Sequence, residues 1–177
     1  MKTKKLILSG FFIACGIVLP MVFHMFSMGG SIFLPMQIPV LIAGYFLGPI
    51  YGASVGIITP VLSGLLTGMP PLVPVMAIMA FELCGYGLIS RLVFRKTNKV
   101  YLSLIVAMVV GRLFAIVGAY AVSLTLAPKI NPIMYVVGGL TTAIPGMLIQ
   151  LIFIPILIKL LMNNKEISKI YCFISLC

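Results

Sequence analysis

The chain predicts an all-α integral membrane protein, a compact bundle of six transmembrane helices with both termini on the cytoplasmic side. Three observations carry this reading. Hydrophobic residues fill 62% of the 177 positions and charged ones 8%, against roughly 25% charged in soluble domains. Mean hydropathy is +1.28. The basic residues cluster at the ends of apolar runs, and six spans put nearly all of them on one side of a bilayer, as the positive-inside rule requires. One span more or fewer would move a basic cluster to the outer face.

Span one covers about residues 5–23, behind Lys2, Lys4 and Lys5. Its start has the charge and apolar run of a signal peptide, but the apolar part extends too far and lacks a convincing small-x-small cleavage site, so it reads as the first membrane helix. Residues 24–35 supply Ser, Gly and Pro for an outer loop. Span two, about residues 36–47, is short and broken by Pro39, and span three follows over residues 49–67. Glycines 44, 48, 52, 56, 64 and 68 recur at multiples of four, so they fall near one helix face and let backbones approach closely. The exit, Gly68-Met69-Pro70-Pro71, cannot continue as regular helix, because paired prolines lack amide donors and restrict their predecessors. It reads as a rigid loop at the membrane surface.

Span four covers residues 72–94 and ends in the strongest basic cluster, Arg91, Arg95, Lys96 and Lys99. Span five runs over residues 100–126 and stops at Ala127-Pro128, and span six over residues 134–161, before Asn163-Asn164-Lys165-Glu166. Lys159, Lys165 and Lys169 then join the cytoplasmic side, and only Lys129 falls outside. Residues 1–177 read as a single membrane domain with no linker or low-complexity tract. The tail over residues 167–177 is apolar, too short to cross, and receives no role.

Two ionisable side chains fall deep in the bilayer, Glu82 in span four and Arg112 in span five. Charges there are costly and imply a paired or functional role. Laid antiparallel from a shared end near Phe94 and Tyr101, the two spans bring these residues to similar height. An ion pair that fixes helix register and an anion-contacting role for Arg112, with Glu82 orienting it, are both open at this point. Tyr86 and Tyr120 lie four and eight positions beyond their charged neighbours and can share a face with them. Gln37, Gln150 and Asn131 are the other polar candidates, each equally suited to a bond between helices. His24 belongs at the outer surface.

The net charge of +10 does not point to nucleic acid, because the basic residues form no surface stripe with interleaved aromatics. The four cysteines, Cys15, Cys84, Cys172 and Cys177, have no metal-ligand spacing and suggest no disulfide framework. There is no Asp, no phosphate loop, no zinc-protease motif and no nucleophile elbow. The residues therefore predict no enzyme. A stand-alone secondary transporter or channel is the alternative, and a membrane-embedded enzyme a more distant one.

Gln37-Ile38-Pro39-Val40, Gly44-x-x-x-Gly48-Pro49-x-x-Gly52, Gly68-Met69-Pro70-Pro71 and Phe81-Glu82-Leu83, in this order on six spans, resemble a substrate-binding S component of an energy-coupling factor (ECF) vitamin transporter. The resemblance runs from Lys5 to about Leu161. It implies a multi-pass bacterial cell-membrane protein that binds a vitamin or related micronutrient from outside. It implies no cofactor in this chain: ATP is bound by two partner subunits, which with an ECF transmembrane coupling protein form the docking module. The family's Ala-x-x-x-Ala docking pattern in span one corresponds here to Gly10 and Ala14. Its pocket position selects Glu82, Tyr86, Arg112, Tyr120, Asn131 and Gln150, with Met69, Pro70 and Pro71 as a lid loop. Arg112 tilts the ligand toward a carboxylate such as pantothenate.

Overall fold

The computed structural model describes residues 2–25, 34–125 and 132–163. They form six helices: α1 (Lys2–Met25), α2 (Gln37–Leu47), α3 (Pro49–Thr67), α4 (Ala77–Thr97), α5 (Val100–Thr125) and α6 (Pro132–Asn163). A wide helical turn at Leu72–Met76, with Val73 extended, leads into α4. Among the described residues, five helical stretches are long and apolar enough to cross a membrane. Lys129, Lys165, Lys169 and the tail lie outside the described residues.

The second expected span is the exception. α2 has 11 residues, which at 1.5 Å each rise about 16 Å, roughly half a hydrocarbon core. It is a buried central helix: Val40, Leu41 and Ala43 have no exposed surface, and Tyr45 and Leu47 almost none. Pro39 does not break it, because it occupies the first turn, where a missing amide removes no intrahelical bond. Gly48 ends it with φ +101° and ψ 173°, a conformation open to glycine, and Pro49 starts α3 at once.

α4 is the hub, packed against α5, α3 and α2. Its approach to α3 depends on bare backbone. A Cβ on Gly52 would lie 2.6 Å from Gly44 Cα and 3.0 Å from the Gly87 carbonyl carbon, and one on Gly56 would lie 2.8 Å from Cys84 N. The four-residue glycine spacing thus marks the faces where α2, α3 and α4 meet. One core cluster gathers Val40, Leu41, Leu83, Leu104 and Ile154 around α2, and a smaller one joins Ile78 to Ala115, Ala119 and Val122.

Successive helices run in opposite directions, so the start of α1, the Gly48 junction, the α4–α5 turn and the end of α6 share one end of the bundle. Lys5 Nζ sits 5.7 Å from the Tyr51 ring centroid there, and the Tyr45 hydroxyl donates to Val100 O at 3.3 Å. This is the basic end. Arg91, assigned from sequence to the cytoplasmic cluster, is instead 8% exposed, and its Nη1 donates to Tyr45 O at 3.1 Å. That carbonyl belongs to the last turn of α2, at the negative end of the dipole, where Pro49, four residues on, has no amide to donate to it. Arg91→Leu should therefore lower unfolding stability in detergent by about 2 kcal/mol, the loss expected when a buried acceptor loses a charged donor. A denaturation curve that matches the wild type would refute the capping role.

Candidate ligand-binding site

Glu82 on α4 and Arg112 on α5 meet as the antiparallel reading required. Arg112 Nη1 stands 3.0 Å from Glu82 Oε1. The same oxygen accepts the Tyr86 hydroxyl at 2.6 Å and Gln37 Nε2 at 3.4 Å. Tyr86 is one helical turn from Glu82 and fully buried. Its ring fits because position 111 has no side chain: a Cβ there would come within 2.9 Å of Tyr86 Cζ. Three donors from three helices therefore converge on one carboxylate oxygen.

The pair faces a cavity of about 1030 Å³ that Pro20, Gln37, Met79, Glu82, Arg112 and Thr142 help to line. It opens away from the basic end, between the second half of α1, the last turn of α3 and the start of α6. Met69, Pro70 and Pro71, expected as a lid, line it too. Their position is fixed by α3: Ser63 Oγ donates to Met69 O at 2.7 Å, and Thr67 Oγ1, which itself donates to Ser63 O at 2.7 Å, accepts the Met69 amide at 3.2 Å. Prolines supply no amide donors, so these hydroxyls are the loop's polar anchors. Sequence reasoning passed over them, although Ser63 and Thr67 share a helix face just before the Gly-Met-Pro-Pro break.

Gln150 is fully buried behind this wall and does not line the cavity. Its Nε2 donates to Leu34 O at 3.2 Å, and the Gln37 backbone amide donates to the same carbonyl at 3.1 Å. α6 thereby helps place the first residue of α2. Tyr120 lies apart, 56% exposed on α5 and absent from the lining. Eight residues on a helix leave it about 80° round from Arg112, whereas the four between Glu82 and Tyr86 leave about 40°. Asn131 lies outside the described residues. Gly10 and Ala14 are exposed on α1, and a Cβ at position 10 would meet nothing within 4 Å.

The ion pair uses only part of Arg112. Its Nε and Nη2 are buried without a hydrogen-bond partner among the described residues, as are Gln37 Oε1 and Gln150 Oε1. The Nε and Nη2 hydrogens form the parallel fork with which a guanidinium grips a planar acceptor. A large apolar cavity with a few converging polar groups is the usual form of a small-molecule site.

A family model described as ECF transporter, substrate-specific component, matches residues 4–162. The chain belongs to this family. No curated protein and no solved structure matches it. As an ECF substrate-specific component it is a multi-pass membrane protein that binds a small transported molecule and docks with an ECF coupling module. The family is one of transporter substrate-binding proteins, and the five membrane-length helices agree with it.

Proposed function

We propose that this S component captures a vitamin or related micronutrient in the cavity between the Glu82–Arg112 pair and the Met69-Pro70-Pro71 loop. The basic end faces the cytoplasm and the cavity faces outward. The observation that carries the reading is the buried, unpartnered fork of Arg112, a residue held by Glu82 in the wall of a large apolar cavity. Arg112 is the principal contact. Glu82, Tyr86 and Gln37 hold and extend it, Gln150 acts from behind Gln37, and the Met-Pro-Pro loop covers the ligand.

Uptake needs a partner in this reading: one ECF transmembrane coupling protein and two subunits that bind ATP. The exposed face of α1 around Gly10 and Ala14 supports a docking role, since small residues admit close approach by another helix. Ala14→Leu should reduce co-purification with the coupling module about tenfold or more, as overfilling of a close helix contact does, and leave ligand affinity unchanged. Equal recovery of the module would remove α1 from the docking face.

The deciding experiment has two steps. Equilibrium binding by the purified protein against a panel of vitamins and their precursors identifies the ligand. Vesicles with and without the coupling module then test uptake. Accumulation that requires both the module and ATP is expected, and accumulation by this chain alone would make it a stand-alone transporter.

A further inference from the structure

We infer that the polar end of the transported molecule is a neutral planar amide-type group, such as a carboxamide, lactam or ureide edge, and not a free carboxylate. The inference rests on the cavity being the ligand site. It reverses the preference that Arg112 suggests when its neighbours are unknown.

The first ground is charge. Glu82 already stands 3.0 Å from Arg112, so the pair presents no net charge to the cavity. A carboxylate would add one net negative charge to a buried site where Glu82 already neutralises Arg112. Such a charge is expensive where water is scarce. A neutral group brings no such cost.

The second ground is the pattern of unspent hydrogen bonds. Arg112 offers two donors, Nε and Nη2, while Gln37 offers one acceptor, Oε1. The Gln37 orientation is set by chemistry: its Nε2 points to Glu82 Oε1 at 3.4 Å, and turning the amide over would put two acceptors face to face. A second contact fixes the residue's backbone, because its amide is tied to Leu34 O, which Gln150 also holds. The residue is 2% exposed and lines the cavity. A donor–donor–acceptor set is complementary to a carbonyl oxygen with an adjacent N–H. The carbonyl oxygen has two lone pairs for the Arg112 fork, and the N–H supplies what Gln37 Oε1 lacks. A carboxylate can satisfy the fork but carries no hydrogen for Gln37, and would set its own oxygen against that acceptor.

The rest of the cavity suits an apolar body behind such a head. Met21, Met36, Met69, Met79 and Met134 contribute to its walls. Methionine thioethers adapt to irregular shapes and pack well against aromatic edges.

A matched pair of probes tests the head group without knowledge of the whole ligand: nicotinamide and nicotinate, which share a ring and differ in the group at issue. The full chain, labelled with ¹⁵N-arginine in detergent micelles, carries three arginines, Arg91, Arg95 and Arg112, so the Arg112 Nε signal is assigned by its loss in Arg112→Lys. Nicotinamide should shift that signal saturably at millimolar concentration, with a Kd about tenfold or more below that of nicotinate, the factor one unpaired buried acceptor imposes. In Glu82→Gln the fork belongs to an unneutralised guanidinium, and the order should reverse. Gln37→Leu keeps the ion pair but removes the Oε1 acceptor, and should narrow the preference without reversing it. Tighter binding of nicotinate by the wild type, with Arg112 responding, overturns the neutral-head inference and leaves the cavity standing as the ligand site. Failure of Arg112 to respond to either probe overturns both.

Discussion

Gly87→Ala should leave a chain that reaches the membrane but does not hold α4 against α3. The added methyl has nowhere to go: it would collide with the Gly52 carbonyl and stand 2.9 Å from Ala53 N, both backbone groups. A flexible side chain could swing aside, whereas backbone moves only if a whole helix moves. The displaced helix would be α4, which carries Glu82 and Tyr86, so the site is lost with the packing. Core overpacking costs typically about 1–3 kcal/mol, and a backbone-to-backbone clash belongs at or above the upper figure. Thermal unfolding in detergent and size-exclusion profiles measure it. Gly10→Ala is the matched control, since a Cβ there meets nothing within 4 Å. A Gly87→Ala protein that melts and elutes like this control would show that the helices tolerate wider spacing.

The glycine rhythm is also where the sequence was most informative. Spacing by four named the contact faces of α2 and α3 at Gly44, Gly52 and Gly56, while Gly48 and Gly68 end helices instead, and span three emerged with the bounds expected of it, Pro49–Thr67. Pattern reasoning is reliable here because close approach demands small residues and little else can take their place. The meeting of Glu82 with Arg112 was legible for a related reason: two deep charges of opposite sign on adjacent antiparallel helices have few other partners. What did not show in the sequence depends on rotation and depth. Arg91 reads as one of four surface basics, and only the arrangement of α2 against α4 reveals that it caps Tyr45 O. The short length of α2 was visible, but the burial of all but Ile38 and Phe46, which are partly buried, was not, because apolar composition looks the same facing lipid or protein. Tyr120 and Tyr86 looked alike by counting and separate only through the angle that eight residues accumulate. Which atoms of Arg112 and Gln37 stay unpartnered is a matter of side-chain geometry that no spacing encodes.

Arg112→Met should abolish ligand binding and destabilise the protein as well, and the two effects can be separated. Removing one partner of a buried pair costs about 3–5 kcal/mol, because the other charge is stranded. Here Glu82 would keep the Tyr86 hydroxyl at 2.6 Å and the weaker Gln37 contact at 3.4 Å, which places the loss at the lower figure. The Glu82→Gln/Arg112→Met double variant removes the stranded charge, and the amide oxygen it puts in place of the carboxylate can still accept from Tyr86. It should recover most of the lost stability, since replacing both members of a buried pair is often near neutral. Its ligand affinity should not recover, because the Nε and Nη2 fork is gone in both variants. Unfolding curves and equilibrium binding on the two single variants and the double variant form the cycle. Binding restored together with stability would mean that Arg112 serves only to hold α5 against α4. Stability restored with binding still absent assigns the fork to the ligand, and makes the ion pair the device that holds it in the cavity wall.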